Sequence, residues 1–120
     1  MLKYRGQLLN SLEWIHGIGY ETGDGRTFIL PEYTFHITGD KGTINGTFLQ
    51  VKPETFGRYT RLQDIRGKWI WEKCTVKCYD KRDDNFFEGT VQFGDGSFYI
   101  DTPLIKHYRL MDYEMEYVHD

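Results

Sequence analysis

Hydrophobic and polar residues alternate with a period of two along most of the chain, which is the pattern of half-buried β-strands. The stretch VQFGDGSFYID shows it most clearly. Val91 and Phe93 share one face before a turn, and Phe98 and Ile100 continue that face after it. The tripeptide Gly94-Asp95-Gly96 supplies the positive φ angles that a tight hairpin needs. The sequence therefore predicts an antiparallel hairpin over this stretch.

The same alternation predicts strands in six further stretches, separated by polar or glycine-containing turns at 21–25, 39–42 and 45–46. Pro31 separates the second of these strands from the third, either as the end of a strand or at a sheet edge. The six stretches are EWIHGIGYE, TFIL, YTFHIT, GTFLQV, WIWEKCTVKC and YEMEYV.

Only the segment VKPETFG favours a helical turn, with Pro53 at its first position and Gly57 as its stop. No window is long enough for a stable amphipathic helix. We therefore predict an all-β, mainly antiparallel fold with one short helical turn near Pro53. Two small sheet-like or barrel-like halves, at about 1–51 and 57–120, are expected to share one compact domain.

Composition agrees with a small globular protein. The chain has 120 residues, of which 39% are hydrophobic and 28% charged, which excludes a disordered tail and a membrane span. The first residues contain no apolar run of signal length.

Cys74 and Cys78 lie four residues apart, about 13 Å on an extended strand, too far for a disulfide. We expect a soluble protein of a reducing cytoplasm.

The charge balance does not favour nucleic acid as a partner. Fifteen basic and eighteen acidic residues give a net charge of −3, whereas nucleic-acid binders usually carry a basic excess. The nearest basic cluster, at 77, 81 and 82, is offset by Asp80, Asp83 and Asp84. These three acids lie in a polar connection that we interpret as a solvated loop. They also define a third hypothesis, a hydrolase that uses Asp83 and its neighbours.

Metal and nucleophile chemistry find little support in the sequence. Structural zinc needs four ligands, usually in two close pairs, and the chain offers one loose cysteine pair with four scattered histidines. Ser11 and Ser97 both fall in turns rather than at a strand-turn-helix elbow. We therefore predict no metal, no cofactor and no catalytic residue.

Aromatic residues beside arginines form the strongest candidate site. Such groups can make a binding platform on a small β-barrel, and the alternative is that the rings fill a small core. The candidate binding residues are Arg58, Tyr59, Arg61, Trp69 and Trp71.

The segment VKPETFGRYTRLQDIRGKWIWEKCTVKC resembles the signature of the YopX family of small phage and prophage proteins. The stretches Arg5-Gly6 and Glu13-Trp14, with Gly17, resemble the opening of that family, so the similarity covers nearly the whole chain. Arg61 departs from the family glycine, and Lys73-Cys74 departs from the usual Gly-Asp. The central residues that fit in register are Pro53, Glu54, Thr55, Gly57, Tyr59, Thr60, Leu62, Asp64, Gly67, Lys68, Ile70, Glu72 and Val76.

The central motif also has a physical interpretation that does not need the family. Asp64 and Gly67 are expected to close a turn, since Asp can bond back to the backbone and Gly can take a positive φ. Tyr59, Leu62, Ile70 and Val76 are then expected on two paired strands.

The resemblance implies a β-rich accessory protein of a phage or prophage, acting in the cytoplasm of the bacterial host. Our first hypothesis is a non-catalytic protein that binds a host or phage macromolecule. We also expect it to self-associate, because nine Tyr and three Trp exceed what a core this small hides. The alternative is a small β-barrel that binds nucleic acid or a nucleotide, as a counter-defence or regulatory factor.

Overall fold

A computed structural model describes residues 3–34, 36–38, 43–79, 86–102, 108–110 and 113–120. These ranges form β-strands and two short 3-10 turns, at Glu32–Thr34 and Pro53–Thr55, and every strand pairing is antiparallel. The predicted all-β antiparallel fold is confirmed. The strands are β1 Lys3–Gln7, β2 Trp14–Glu21, β3 Thr27–Pro31, β4 His36–Thr38, β5 Thr43–Asn45, β6 Leu49–Val51, β7 Gly57–Gln63, β8 Trp69–Trp71, β9 Thr75–Tyr79, β10 Phe86–Gly94, β11 Ser97–Asp101, β12 Tyr108–Arg109 and β13 Glu114–His119.

The chain divides into two compact units, residues 1–58 and 59–120. In the first unit the strands pair in the order β6-β3-β2-β1. A bridge between Leu8 and Val51 joins the two outer strands of this order. The backbone N–H of Lys52 also donates to the carbonyl of Gln7 at 2.8 Å. The four strands therefore curve round until β6 meets the end of β1, as in a small barrel.

The inside of the first unit is small and apolar. Ile15, Ile29 and Val51 are buried there, and Tyr4 and Phe56 are among the partly buried residues that pack against them. The rings of Tyr4 and Phe56 stack with centroids 4.5 Å apart and planes within 5°. β2 supplies Ile15 and β3 supplies Ile29, but burial does not alternate strictly along β3, because the neighbouring Leu30 is buried as well.

The helical turn predicted near Pro53 is present as the 3-10 turn Pro53–Thr55. Its Thr55 side chain secures it: Oγ1 donates to the carbonyl of Lys52 at 2.7 Å and accepts the backbone N–H of Gln7 at 2.9 Å. One hydroxyl thus satisfies two backbone groups and holds the turn against β1.

A second 3-10 turn replaces the first part of a predicted strand. The stretch YTFHIT was expected to be extended throughout, but Glu32–Thr34 forms the turn and β4 begins at His36. The Glu32 carboxylate in this turn lies 2.9 Å from Lys3 Nζ, as an ion pair, and 3.4 Å from His16 Nδ1. The turn predicted at 39–42 lies outside the described residues.

The second unit is built on a five-stranded sheet, in the order β12-β11-β10-β9-β13. The predicted hairpin is confirmed as β10 and β11, with Phe93 opposite Phe98. Asp95 and Gly96 take the positive φ angles, 51° and 81°, while Gly94 still pairs in the strand. The buried core of the unit consists of Ile70, Cys74, Val76, Cys78, Val91, Ile100, Leu110 and Met115.

One strand assignment within the central motif was wrong. Tyr59 and Leu62 lie on β7 and Ile70 on β8, but Val76 lies on β9, which pairs with β10 and β13. A turn containing Lys73, with φ of 77°, separates β8 from β9. The sequence marks this break, because Glu72 and Lys73 are consecutive polar residues and the alternation changes phase there, from Trp71 to Cys74.

Neither cysteine forms a disulfide, and both are buried in the second unit. Burial raises the pKa of the Cys78 thiol to about 12, and the neighbouring Cys74 adds to the rise. The folded state therefore favours the neutral thiol. This contribution to stability is present below the ordinary value of 9.0 and is lost as the pH rises through about 12.

We expect the native protein to resist thiol-specific labelling at about pH 8, because the thiolate is the reactive form and both sulfurs are buried. Labelling with a disulfide reagent, with and without urea, measures this directly. Slow labelling that becomes fast on unfolding is the expected result, and fast labelling of the native chain contradicts it.

Candidate functional site

A tight turn around Asp64 sets the geometry of the β7–β8 hairpin. The carboxylate Oδ1 of Asp64 accepts the backbone N–H groups of Arg66 and Lys68, both at 2.8 Å. The backbone N–H of Asp64 donates to the Lys68 carbonyl at 2.7 Å, and Gly67 has a φ of 85°. The turn predicted from Asp64 and Gly67 is therefore confirmed, with the roles expected of each residue.

The same carboxylate also holds the C-terminal strand. Asp64 Oδ2 accepts the backbone N–H of Tyr117 at 3.2 Å, and the N–H of the neighbouring Ile65 donates to the Met115 carbonyl at 2.9 Å. Asp64 is only 8% exposed. A single buried acceptor thus serves three backbone donors and ties β13 to the hairpin turn.

Three of the five predicted site residues form one aromatic cluster, which we call the hairpin cluster: Tyr59, Trp69 and Trp71. Tyr59 pairs with Trp71 across the hairpin. Its ring stacks on Trp69, with centroids 4.7 Å apart and planes 23° apart, and lies 5.1 Å from the ring of Trp71. Trp71 is 6% exposed, whereas Tyr59 and Trp69 are partly exposed. Trp71 therefore belongs to the buried hydrophobic residues, and Tyr59 and Trp69 extend the cluster to the surface.

The other two predicted site residues, Arg58 and Arg61, are not part of the hairpin cluster, and they lie in different surroundings. Arg58 is the last residue of the first unit, pairs with Tyr4 on β1 and is half-buried. Because neighbouring residues of a strand project to opposite faces, the side chains of Arg58 and Tyr59 lie on opposite faces of β7. Arg61 follows Tyr59 by two residues and is exposed.

Arg61 lies within an irregularity of β7. Four steps along β7, from Tyr59 to Gln63, pass opposite only two steps of β8. Thr60 Oγ1 stabilises this bulge by donating to the Ile70 carbonyl at 2.7 Å and accepting the Leu62 N–H at 3.1 Å. Arg61 has a φ of 66°, in the left-handed region that favours glycine.

Replacing Arg61 by Gly should therefore stabilise the protein, by about 1 kcal/mol, because a residue with a Cβ is disfavoured in the left-handed region. Urea unfolding followed by circular dichroism measures the change. The matched control is Arg66→Gly, which lies in the adjacent turn without a positive φ and should lose up to about 1 kcal/mol. A loss of stability in Arg61→Gly would contradict the inference that the backbone of Arg61 is strained.

Lys73 is a second basic residue with a left-handed backbone, at φ 77°. The sequence marks Arg61 and Lys73 only as departures from a glycine in the resembling family. The structure places both at backbone positions where glycine is the favoured residue. Among the described residues, the only other non-glycine with a positive φ is Asp95 of the β10–β11 turn.

The sequence analysis missed a second aromatic group, in the first unit. Tyr20 stacks on Phe28, directly opposite it, with centroids 5.3 Å apart, and meets the edge of Phe48 at 5.0 Å. Tyr20 is 44% exposed and Phe48 39%. The alternation along β2 and β3 could have indicated this aromatic group, since it places Tyr20 and Phe28 on the face opposite to the buried Ile29.

The residues considered for catalysis and metal binding are placed as follows. Ser11 Oγ accepts the backbone N–H of Glu13 at 3.0 Å, a local turn role. Ser97 is the exposed first residue of β11. Within the described ranges no three His, Cys, Asp or Glu residues converge as a metal site would require. Asp80, Asp83 and Asp84 lie outside the described residues.

No helix within the described residues has the length and apolar character to span a membrane.

Comparison of the chain with family models, with curated proteins and with solved structures finds no match. The resemblance to the YopX family therefore stays a prediction from the motif residues.

Proposed function

We propose that this chain is a non-catalytic binding protein that contacts a macromolecule through the β7–β8 hairpin, with Tyr59 and Trp69 as anchors and Arg61 as a cationic contact. The observation that carries the proposal is the backbone of Arg61. A long exposed cation occupies a left-handed position, which costs about 1–2 kcal/mol relative to glycine. Strain of this kind is concentrated at functional sites.

The residue types of this hairpin are those that dominate binding energy at protein surfaces. Tryptophan, tyrosine and arginine are enriched among the few side chains that account for most of an interface's affinity. The hairpin cluster is also held in place, because the Asp64 turn fixes the register that stacks Tyr59 on Trp69. Rings that are ordered before binding lose less conformational freedom when the partner arrives.

The motif resemblance supports a phage or prophage accessory role in the bacterial cytoplasm, with a host or phage macromolecule as the partner. The second unit carries nine basic and twelve acidic residues, a net charge of −3, which favours a protein partner over a polyanion.

Affinity capture from bacterial lysate, with and without phage infection, tests the proposal. The full chain is the bait, and mass spectrometry with nucleic-acid staining identifies what it retains. We expect a partner that is lost from Arg61→Ala and Trp69→Ala but kept by Arg66→Ala, an exposed arginine of the same hairpin. Arg61→Ala keeps a Cβ at the left-handed position and removes the rest of the side chain together with its charge. Equal capture by Arg61→Ala, Trp69→Ala and the unaltered chain would contradict the proposal.

Binding of single-stranded nucleic acid is the second candidate, and the stacked pair Tyr59 and Trp69 supports it, because a base can extend such a stack. Tryptophan fluorescence during titration with an oligo-dT strand tests it. Affinity that falls between about 50 and 200 mM salt and weakens in Arg61→Ala supports this candidate. An affinity unchanged over that salt range, or no binding, removes it.

Self-association is part of the same proposal, and Tyr20 and Phe48 of the first unit supply exposed apolar surface for it. Size-exclusion chromatography with light scattering should show oligomers at tens of micromolar concentration. A double variant, Tyr20→Ser with Phe48→Ser, should shift the population toward monomer. A strict monomer for the unaltered chain would remove this part of the proposal.

A further inference from the structure

A cavity of about 200 Å³ opens in the second unit. It lies between the bulge of β7, the start of β11 and the end of β12. The described residues that line it are Thr60, Leu62, Ser97, Phe98, Arg109 and Leu110.

The lining changes from apolar to charged toward the solvent. Leu110 is 2% exposed and, with Leu62 and Phe98, provides the hydrocarbon part. Ser97 and Arg109 are exposed and provide a hydroxyl and a guanidinium. The hydroxyl of Thr60 is already engaged with the Ile70 carbonyl. An apolar pocket with a few polar groups at one side is the usual form of a small-molecule site.

The size of the cavity limits what it can take. At about 30 Å³ per water, its volume corresponds to six or seven waters, below the range of about 300–1,000 Å³ that drug-sized ligands occupy. One six-membered ring or a short acyl chain is therefore the largest apolar body that fits.

The charge at the entrance selects the polar end of the ligand. A guanidinium presents paired N–H donors that match a planar carboxylate in a bidentate geometry. The Ser97 hydroxyl can donate one more hydrogen bond to the same group. No acidic side chain is among the described residues that line the cavity.

The bulge of β7 connects the cavity to the strained backbone described above. Thr60 and Leu62, which line the cavity, are the two neighbours of Arg61. Bulges redirect side chains next to binding and active sites, so the cavity gives this irregularity a second role beside the presentation of Arg61.

We propose that this cavity binds a small monocarboxylate with an apolar body, its ring or chain against Leu62, Phe98 and Leu110 and its carboxylate on Arg109. The site goes beyond the proposed macromolecular binding and does not depend on it. A ligand that packs against Thr60 and Leu62 stabilises the bulge from its apolar side.

Titration of the full chain with 3-phenylpropionate, followed by amide NMR shifts, tests the site. We expect saturable shifts at Leu62, Phe98 and Leu110 with a dissociation constant of about 1 mM or lower, a modest affinity for so small a ligand. The uncharged amide of the same acid should bind at least about tenfold more weakly, because it lacks the charge that Arg109 recognises.

Two variants separate the site from non-specific binding. Arg109→Gln should weaken 3-phenylpropionate at least about tenfold, whereas Arg66→Gln, an exposed arginine of the same unit, should not change it. If Arg109→Gln perturbs the fold, Ser97→Ala tests the same geometry instead. It should weaken the binding of 3-phenylpropionate by a few fold. No saturable shift by about 10 mM, equal binding by Arg109→Gln, or tighter binding of phenyl phosphate than of the carboxylate would overturn the proposal.

Discussion

Replacing Gly17 by Ala is expected to destabilise the first unit by more than about 3 kcal/mol, enough to unfold a marginally stable domain. Gly17 pairs with Pro31, and a Cβ built on it would overlap the carbonyl oxygen of Leu30. The same Cβ would lie 3.0 Å from the backbone N of Glu32. These neighbours are backbone atoms of β3 and the following turn, so no side chain can rotate to make room.

The free energy of unfolding, from urea titration with amide NMR signals of the first unit, measures this effect. Gly23→Ala is the matched control, since its Cβ would meet nothing within 4 Å and its φ is not positive. The control should stay within about 0.5 kcal/mol of the unaltered protein. A Gly17→Ala chain within about 1 kcal/mol of the unaltered protein would show that β2 and β3 can separate at little cost.

Replacing Asp64 by Ala should cost about 3 kcal/mol, because three backbone N–H groups lose their acceptor in a place where water replaces it poorly. Two of these groups belong to the hairpin turn and one, that of Tyr117, to β13. The loss should therefore loosen the turn and the C-terminal strand together. Hydrogen exchange at Tyr117 and Ile65 should quicken along with the fall in unfolding free energy.

Two further variants make the Asp64 result specific. Asp64→Asn keeps one acceptor for the turn but places an NH₂ toward the Tyr117 N–H, so its cost should lie between those of the unaltered protein and Asp64→Ala. Asp95→Asn, in the exposed β10–β11 turn with φ of 51°, should be nearly neutral because Asn tolerates that backbone. A negligible cost for Asp64→Ala would mean that strand pairing alone holds β13.

The sequence pattern predicted those parts of the fold that depend on contacts between residues close together in the chain. The alternation around Val91 and Ile100 was sufficient for the β10–β11 hairpin, and the Asp64 and Gly67 pair was sufficient for the hairpin turn. In both cases a short stretch contains its own turn residues and its own buried face. Tyr59, Trp69 and Trp71 could be nominated as a group for the same reason, since they flank one turn.

Features that depend on distant contacts could not be predicted in this way. Glu32 of the 3-10 turn after Pro31 contacts Lys3, nearly thirty residues earlier in the chain. The bulge at Arg61 has no sequence signal of its own, because arginine is not a residue that indicates a left-handed backbone. The cavity near Arg109 needs β7, β11 and β12 to meet, which a period-two pattern does not specify.

The bridge from Leu8 to Val51 and the hydrogen bond from Lys52 to Gln7 have a consequence for synthesis on the ribosome. The end of β1, the first strand of its unit, meets residues near the end of that unit, so a nascent chain that has emerged only to β3 leaves one border of the sheet uncovered. Closing this long loop is a slow step compared with forming the β1–β2 and β2–β3 hairpins. During that interval the uncovered edge strand is a place where two growing chains can pair with each other.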